Sequence, residues 1–488
     1  MDYKRKITVR HTSTIIEDYN PGDCNALENK LSVWDNVYYR SIPYFTYEEE
    51  EKRLRIPRGI DINFLERSFQ ARAMLDYEHD EFDKVSFKLK TPPRDDIQRR
   101  SICFLLGEQE FKNTKNHSQL SLNLTTGDGK TYCCIAAMTM LGMKSMIITH
   151  QDRIKMQWYE SLQKFTTLDD TMICNLDSSK KIERLLDGRD KGKYKVFLVN
   201  HGTIRSYAKN NGWEAITELF KALKIGLKIY DEAHLEFANI LKIDQYTNTK
   251  KNFYLTANFH KSSSTEDFVF NNAFSNVIKF GSETLVEKHR HIVYMPYIYT
   301  SCPSTADTIK IKNKKGFDRN VYCDYQLSKP NQFVICNDLV KRFISKNDTK
   351  VMVLFSKIVA VDAYLEELKR ILPNERIGAI HSKLSDDERA DVDNCRIIVS
   401  TPKSVGTGTD IANLGCVIMT EPYSSTITAN QVSGRLRYLG NEQESFYIEL
   451  VDRGFSTVYK MYLNRLKFFK KKCSKVIIMR EHPNDAIE

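Results

Sequence analysis

Short apolar runs alternate with helix-forming segments in two separate blocks of this chain, the first over about residues 90–280 and the second from about residue 345. Such alternation is typical of βα units, which build a parallel sheet covered by helices. The sequence therefore predicts an α/β fold with two parallel-sheet domains in series. The predicted strands are Ser145–Ile148, Val196–Val199 and Leu227–Tyr230 in the first block, and Val351–Phe355, Arg376–Ile380, Arg396–Val399 and Cys416–Met419 in the second, with an amphipathic helix at Val359–Leu372.

The segments outside the two blocks differ from them in composition. Residues 1–85 contain a tyrosine-rich stretch, an acidic run at Glu48–Glu51 and a basic patch from Arg53 to Arg58, and we interpret them as a small N-terminal accessory domain. The polar, lysine-rich pieces between the blocks indicate a linker. The predicted organisation is an accessory domain at 1–85, a first lobe at 86–285, a linker and inter-lobe segment at 286–340, a second lobe at 341–455, and a basic C-terminal helix and tail at 456–488.

Composition excludes several classes of protein. The 488 residues are 41% hydrophobic, enough for several cored domains, and no apolar run reaches the ~20 residues of a membrane span. Eleven cysteines without a CxxC pair argue against both a disulfide framework and a zinc site. The charged start leads into polar sequence, so no secretory signal is expected. We predict a protein of a reducing cytoplasm, the host cytoplasm if the chain is viral, with no membrane partner and no secretion.

A glycine-rich segment follows a polar loop and precedes a helix-compatible run. Asp128-Gly129-Lys130-Thr131 within it has the chemistry of a P-loop, in which backbone N–H groups and a helix N-terminus surround phosphates. The lysine would reach the outer phosphates, and the threonine hydroxyl would hold Mg²⁺. The pattern GxxxxGK[ST] has glycine where this chain has Leu124, so an ordinary glycine-rich turn is the alternative for this segment taken alone.

A carboxylate pair follows the predicted buried strand Leu227–Tyr230. Asp231 and Glu232 stand at the strand end, which is where α/β proteins place their chemistry. Phosphoryl transfer needs one carboxylate to hold Mg²⁺ and another to orient and deprotonate water, and these residues can divide that work. An acidic helix N-cap is the alternative for the tetrapeptide alone, but the P-loop upstream disfavours it.

These motifs resemble those of superfamily 2 helicases, in the family's order over residues 90–450. Asp231–His234 resembles the DEAH box, Pro93–Gln98 the adenine-reading segment, and Leu255–Asn258 a motif that couples hydrolysis to movement. Thr149–Trp158 and Asn200–Thr203 resemble strand-contacting motifs, although a plain strand-to-helix turn explains each as well. The resemblance implies two RecA-like lobes, with ATP as the nucleotide and Mg²⁺ as its metal.

The second block carries matching motifs. His381–Lys383 resembles a His-Gly segment, Ser400–Ile411 resembles motif V, and Gln431–Arg437 resembles motif VI, whose arginines reach the γ-phosphate. The family has its last arginine three positions after the first, whereas here Arg437 follows Arg435 by two. Arg435 is therefore the preferred phosphate contact, and the finger role of Arg437 stays open.

The resemblance assigns roles residue by residue. Catalysis is expected of Lys130, Asp231, Glu232, Arg435 and Arg437, and Mg²⁺ binding of Thr131 and Asp231. ATP binding is expected of Gln98, Thr126, Gly127, Asp128, Gly129, Lys130, Thr131, Gly408 and Asp410, and coupling of hydrolysis to movement is expected of His234, Thr256, Ala257 and Gln431.

The predicted function is an ATP-dependent helicase or translocase that unwinds or branch-migrates nucleic acid, with DNA favoured over RNA. The net charge of +10 suits contact with the phosphate backbone. The layout resembles phage and large-virus helicases of the UvsW kind. One alternative is a translocase that displaces proteins or transcripts without separating strands. Another is a binding protein clamped by ATP, which has no need of a water-activating carboxylate. The sequence leaves the oligomeric state open and is compatible with a monomer.

A basic amphipathic helix is predicted at Tyr459–Lys475. The apolar positions at helical spacing are Val458, Tyr462, Leu466, Phe469 and Cys473, and the remaining surface is covered by Lys460, Arg465, Lys467, Lys470, Lys471, Lys472 and Lys475. This pattern is compatible both with a helix docked on the second lobe with a solvated cationic face and with a nucleic-acid contact.

Overall fold

The computed structural model divides into two units, Met1–Ser282 and Glu283–Glu488. It describes residues 5–19, 25–35, 39–124, 128–188, 192–256, 264–281, 291–313, 316–329, 331–381, 384, 391–402, 404, 411–423, 426–436, 439 and 443–480. Among these residues, no helix is both long enough and apolar enough to cross a membrane.

The N-terminal part of the first unit forms a five-stranded sheet and a separate hairpin. Its elements are β1 (Ile7–Val9), β2 (Ser13–Ile16), α1 (Asn25–Leu31), β3 (Ser32–Asp35), β4 (Arg40–Pro43), β5 (Thr46–Glu48), β6 (Arg53–Pro57), α2 (Ile62–Phe69) and β7 (Ala73–Leu75). The sheet has the strand order β5-β6-β2-β1-β7, and β3 pairs with β4. Ile16 and Leu54 are fully buried in a hydrophobic core that also contains Met146 and Ile148. The segment predicted as an accessory domain thus shares a core with the lobe that follows it.

The rest of the first unit is a parallel sheet flanked by helices. Its elements are α3 (Asp96–Leu106), a 3₁₀ helix (Gln109–Thr114), β8 (Gln119–Leu122), α4 (Lys130–Leu141), β9 (Ser145–Thr149), α5 (Asp152–Phe165), β10 (Ile173–Leu176), α6 (Ser179–Asp187), β11 (Val196–Asn200), α7 (His201–Asn211), α8 (Glu214–Ala222), β12 (Leu227–Tyr230), α9 (Phe237–Tyr246), β13 (Lys251–Leu255), α10 (Ser264–Ala273) and β14 (Ile278–Phe280). The strand order is β10-β11-β9-β12-β13-β8-β14, and the paired strands run parallel.

Side chains along each central strand of this sheet alternate between two cores. Met146 and Ile148 of β9 belong to the core that contains the N-terminal sheet, whereas Ile147 belongs to the core that contains α4 and α5. Tyr230 and Ile229 of β12 divide in the same way. This is the period of two expected of a strand buried on both faces. A residue that directly follows a strand therefore lies on the face of the sheet opposite to that of the last strand residue.

The second unit contains a second parallel sheet. Its elements are β15 (Ile292–Tyr299), α11 (Thr305–Ile311), β16 (Lys312–Asn313), β17 (Gly316–Phe317), α12 (Arg319–Leu327), α13 (Asn331–Ile344), β18 (Lys350–Leu354), α14 (Ile358–Ile371), β19 (Ile377–Ile380), a 3₁₀ helix (Asp391–Asn394), β20 (Ile397–Ser400), β21 (Leu414–Met419), α15 (Thr426–Ser433), β22 (Ser445–Asp452), α16 (Ser456–Lys472), β23 (Lys475–Val476) and β24 (Met479–Arg480). The order is β19-β20-β18-β21-β22-β15-β23, and β24 also pairs with β15. The predicted fold class, two RecA-like parallel-sheet lobes with a small N-terminal domain and a basic C-terminal helix, is confirmed.

One strand of the second sheet lies in the segment predicted as a linker. β15 pairs with β22 along its whole length, and on its other side with β23 at Val293 and Tyr294 and with β24 at Tyr297 and Ile298. Proline cannot donate a hydrogen bond to a neighbouring strand, and Pro296 falls in the gap between β23 and β24. The linker interpretation is therefore wrong for residues 292–299, because the residues on both sides of Pro296 pair with neighbouring strands of the second sheet.

The helix α16 corrects a second expectation. Arg465, predicted on its cationic face, is fully buried, and its guanidinium donates to Glu449 of β22 with an Nε to Oε1 distance of 2.8 Å. The Tyr294 hydroxyl donates to the other oxygen of Glu449 at 2.6 Å, and the Arg465 guanidinium lies 4.4 Å from the centre of the Tyr423 ring. Arg465 therefore anchors α16 to the sheet, and the long arginine stem explains how a charged residue fits an apolar face.

We expect Arg465→Ala to lower the free energy of unfolding of the second lobe by about 3–5 kcal/mol, because it leaves the Glu449 carboxylate buried without its cation. Lys467→Ala, two residues away on the exposed surface, is the control and should change stability by no more than about 0.5 kcal/mol. Differential scanning calorimetry of both variants measures the effect. Equal transitions for the two variants would contradict the anchoring role.

Candidate functional site

The predicted P-loop connects β8 to α4 at the carboxyl edge of the first sheet. Thr126 and Gly127 lie outside the described residues, while Asp128 and Gly129 lead directly into α4, which begins at Lys130. The Lys130 ammonium donates a hydrogen bond to the backbone carbonyl of Leu124 at 2.8 Å. The lysine side chain thus spans the loop from the helix start back to the strand end.

The leucine that departs from the P-loop pattern has a packing role. Leu124 is buried in the core that contains α4 and α5, and it also lies against Gly281, where an added Cβ would approach Leu124 Cδ2 to 2.9 Å. Its backbone carbonyl faces Lys130 while its side chain faces the core. A leucine is therefore compatible with this loop, because the contact to the lysine comes from the backbone.

Gln98 packs against the P-loop from the first turn of α3. Its backbone N–H is capped by the Asp95 carboxylate at 2.9 Å, which fixes the start of the helix. Its side-chain oxygen accepts from the Arg94 N–H at 2.8 Å, and its amide nitrogen donates to the Asp128 carbonyl at 3.4 Å. A Cβ at Gly129 would lie 2.3 Å from that nitrogen, and Gly129 has a φ of +86°. The absence of a side chain at Gly129 lets the glutamine touch the loop.

Asp231 follows Tyr230 and emerges on the face of the sheet that carries α4 and α5, as the alternation along β12 requires. Its backbone N–H donates to the Ile148 carbonyl at 3.0 Å, which continues the pairing of β12 with β9. Burial raises the pKa of the Asp231 carboxyl, and the charge of Glu232 adds to this, while a hydrogen bond from Trp158 and the charge of Lys130 oppose it. The lysine and the aspartate are thus within electrostatic reach of each other.

Both carboxylate oxygens of Asp231 accept one hydrogen bond from a neutral donor. Oδ1 accepts from the Glu232 backbone N–H at 3.0 Å, and Oδ2 accepts from the Trp158 indole N–H at 2.8 Å. A carboxylate has about four acceptor positions, so lone pairs remain on both oxygens. The sequence pattern did not reveal this contact, because helical spacing buries Trp158 but does not say where its N–H points.

Glu232 occupies an unusual backbone conformation. Its φ is +49°, in the left-handed region that a residue with a side chain seldom adopts. Its Oε2 atom is buried and accepts no hydrogen bond from the described residues, and it lies 3.4 Å from Nδ1 of His234. Backbone strain of this kind concentrates at functional sites. The left-handed backbone at Glu232 therefore turns its side chain away from the direction of β12.

His234 connects the carboxylate segment to the end of β13. Its Nδ1 lies 2.9 Å from the Thr256 hydroxyl, and both residues are buried. The backbone supports the same junction, since Ala233 N–H donates to the Leu255 carbonyl and Thr256 N–H donates to the Leu122 carbonyl. Ala257, the third residue expected to couple hydrolysis to movement, lies outside the described residues.

Two histidines near this site, the half-buried His150 and the buried His201, were not predicted to take part in it. Neither ring nitrogen of His150 or His201 has a hydrogen-bond partner in the described part of the chain. Burial lowers the pKa of both imidazoles, to about 3 for His201, which stacks on Tyr230 with a ring separation of 5.9 Å. Both rings are therefore neutral at physiological pH. The sequence feature that could have identified these two histidines is their position directly after the strands β9 and β11.

The predicted site residues of the second lobe are described only in part. Arg435 is buried shortly after α15, and its backbone N–H donates to the Val432 carbonyl. Gln431 lies within α15, but its side chain is not described. Arg437, Gly408 and Asp410 lie outside the described residues. His381, from the predicted His-Gly segment, is buried with its Nε2 3.1 Å from the Asp362 carboxylate.

Two segments of this chain match models of known protein families. Residues 72–261 match the model of the type III restriction enzyme res subunit, and residues 334–438 match that of the helicase conserved C-terminal domain. "Putative helicase 161L" of Invertebrate iridescent virus 6 is 24% identical over 421 residues, covering 80% of this chain and 83% of that protein.

Solved structures are similar to this chain at low sequence identity. S. cerevisiae Dbp5, as a variant bound to RNA and ADP BeF3, matches at 14% identity with a TM-score of 0.51, over 79% of this chain and 89% of that one. T4 UvsW is 15% identical over 98% of this chain and 99% of its own, with a TM-score of 0.37.

The fold and the two matching families define a nucleic-acid motor ATPase with tandem RecA-like lobes. By these domain matches the chain is an ATP-hydrolysing helicase, and it resembles the superfamily 2 helicases.

Proposed function

We propose that this helicase acts on DNA, unwinding or branch-migrating it through ATP-driven opening and closing of its two lobes. The observation that supports the catalytic part most directly is the Asp231-Glu232 pair at one edge of the first sheet, in which the buried Asp231 carboxyl is within electrostatic reach of Lys130. The translocase that displaces proteins or transcripts without strand separation remains the alternative, because it needs the same ATP site.

The donor set of the first lobe fits a nucleotide with Mg²⁺. A carboxylate and a hydroxyl are hard oxygen ligands of the kind Mg²⁺ prefers, and a nucleotide-bound Mg²⁺ needs few ligands from the protein. We assign Asp231 and Thr131 to hold it, and when bound it neutralises phosphate charge. Lys130, which donates to a backbone carbonyl here, exchanges that acceptor for the phosphates. Thr126, Gly127, Asp128 and Gly129 surround the phosphates, and Gln98 binds the adenine.

Glu232 is the proposed general base. Its buried Oε2 accepts no hydrogen bond within the described residues, so the atom is available to accept one from the attacking water. His234 and Thr256 are proposed to transmit the state of this carboxylate to β13, together with Ala257 and, from the second lobe, Gln431. The family resemblance adds Arg435 and Arg437 as phosphate contacts, and Gly408 and Asp410 as ATP-binding residues.

We expect Glu232→Gln to lower kcat for ATP hydrolysis by about 100-fold or more while ATP binding persists, since the amide keeps the shape but cannot take a proton. Steady-state phosphate release and fluorescent-nucleotide titration measure the two quantities. Lys130→Ala is the contrasting variant and should weaken nucleotide binding itself. Unchanged turnover in Glu232→Gln would remove this residue from the mechanism.

Parallel substrates test the choice of DNA and of strand separation. We expect forked DNA and single-stranded DNA to stimulate ATPase activity more than RNA of the same sequence, and the forked duplex to be separated only with ATP. Displacement of streptavidin from biotinylated DNA without unwinding would support the translocase alternative. Stronger stimulation by RNA would contradict the DNA assignment.

The exposed face of α16 is the proposed contact to the phosphate backbone. Lys460, Lys467 and Lys470 line a groove together with Leu463 and Asn464. The helix contains no acidic residue, and none of these three lysines pairs with a carboxylate in the described structure. The buried face of the same helix is anchored by Arg465, so the two interpretations of this helix describe opposite faces. Uncompensated cations on a fixed helix suit a polyanion.

We expect Lys467→Gln combined with Lys470→Gln to weaken DNA binding for all sequences and to reduce the slope of log K against log salt by about 1.8, or 0.9 for each lost phosphate contact. Fluorescence anisotropy at several salt concentrations measures this slope. The matched control is Lys341→Gln with Lys346→Gln, which removes the same charge from exposed positions in the same unit. An equal slope change in both variants would show that only net charge matters.

A further inference from the structure

The Trp158 side chain connects the core of the first lobe to the proposed metal carboxylate. It lies on α5 between Ile154 and Leu162, which are one turn away on either side and buried in the same core. Only 1% of Trp158 is exposed, and its indole N–H donates to Oδ2 of Asp231 at 2.8 Å. The ring is therefore held by packing while its single polar atom points at the carboxylate.

An indole N–H has properties that suit this position. It is a donor without an acceptor function, and it carries no net charge. A lysine or arginine in the same place would neutralise the aspartate and compete with a metal ion, whereas a neutral donor fixes the orientation and leaves the negative charge available. The other oxygen is held by the Glu232 backbone N–H, so the two donors together define the plane of the carboxylate.

We infer that Trp158 is a positioning residue that orients Asp231 toward the Mg²⁺ of bound nucleotide. The inference rests on the proposed role of Asp231 as a metal ligand. Residues that donate hydrogen bonds to a metal-binding side chain, without contacting the metal themselves, commonly change metal affinity by roughly 10- to 100-fold. Trp158 thus acts through Asp231 and contacts neither substrate nor metal.

Trp158→Phe tests the inference, because it keeps an aromatic ring in the core and removes the N–H. At saturating non-hydrolysable ATP analogue, the Mg²⁺ concentration for half-saturation should rise about tenfold or more. Calorimetric binding of the analogue without Mg²⁺ should stay as in the wild type. Turnover should recover toward the wild-type value as Mg²⁺ is raised, so the defect lies in metal affinity.

Tyr254→Phe is the matched control. Its hydroxyl is also a buried aromatic donor to a carboxylate, Asp244 Oδ2, at 2.6 Å in the same unit. If both variants lose thermal stability but only Trp158→Phe changes the Mg²⁺ dependence, the effect belongs to Asp231. Wild-type Mg²⁺ dependence in a folded Trp158→Phe protein would overturn the inference.

Asp231→Asn separates this inference from the proposed function. Intact Mg²⁺-dependent binding in Asp231→Asn would mean that Asp231 is not the metal residue, and the proposed function would fail at that point. Loss in Asp231→Asn with no change in Trp158→Phe would overturn only the role of Trp158.

Fluorescence gives a second test that keeps the tryptophan. The chain has three tryptophans, so Trp34→Phe with Trp213→Phe leaves Trp158 as the only tryptophan, which is excited selectively at wavelengths that tyrosine does not absorb. Adding Mg²⁺ to the analogue complex should shift its emission, because the carboxylate bonded to the indole gains a cation. Asp231→Asn in this background should abolish the shift. An emission spectrum that does not change when Mg²⁺ is added would contradict the proposed contact.

Discussion

Parallel pairing in the first sheet brings the candidate ATP site together. Because β8, β9, β12 and β13 are neighbours and run in one direction, their carboxyl ends meet at one edge. The pairing continues past the strands, since Asp231 donates to Ile148 and Thr256 donates to Leu122. The P-loop, the carboxylate pair and the coupling threonine are each attached to one of these strand ends. A shift of register at any one of these strands would therefore move its group out of place relative to the other two.

Two buried carboxylates in this lobe show how environment separates structural from catalytic use. Asp244 accepts from the hydroxyls of Tyr230 and Tyr254 at 2.8 and 2.6 Å and pairs with the Lys228 ammonium at 2.6 Å. Its charge is thus matched by a buried cation. Within the described residues, the hydrogen bonds to Asp231 come from two neutral donors, while Lys130 donates to a carbonyl instead. The described part of the lobe therefore presents, at the strand edge, a carboxylate without a directly bonded cation, where a cation carried by the nucleotide would complete it.

Local patterns predicted much of this architecture. The apolar runs became strands because each is buried on both faces, and the P-loop and DEAH motifs stand at strand ends because chain order puts them there. Contacts that depend on tertiary packing were not predictable. Arg465 is a charged residue in a lysine-rich helix and was therefore expected on its solvated face, yet it pairs with Glu449 of β22, which lies 16 residues away in sequence. The polar, lysine-rich pieces that follow β15 led to the linker interpretation, and the direction of the Trp158 N–H has no sequence signal.

The alternation along β12 explains why the Trp158 contact forms. Ile229 faces the core that contains α4 and α5, and Tyr230 faces the core shared with the N-terminal sheet. Asp231 lies on the same face as Ile229, where it accepts the hydrogen bond from Trp158. Both Lys130 on α4 and Trp158 on α5 belong to the helices of that side. The left-handed turn at Glu232 then ends the alternation, so the second carboxylate leaves the direction of the strand. The alternation along β12 thus places Asp231 on the face that carries α4 and α5, and the left-handed turn directs Glu232 away from it.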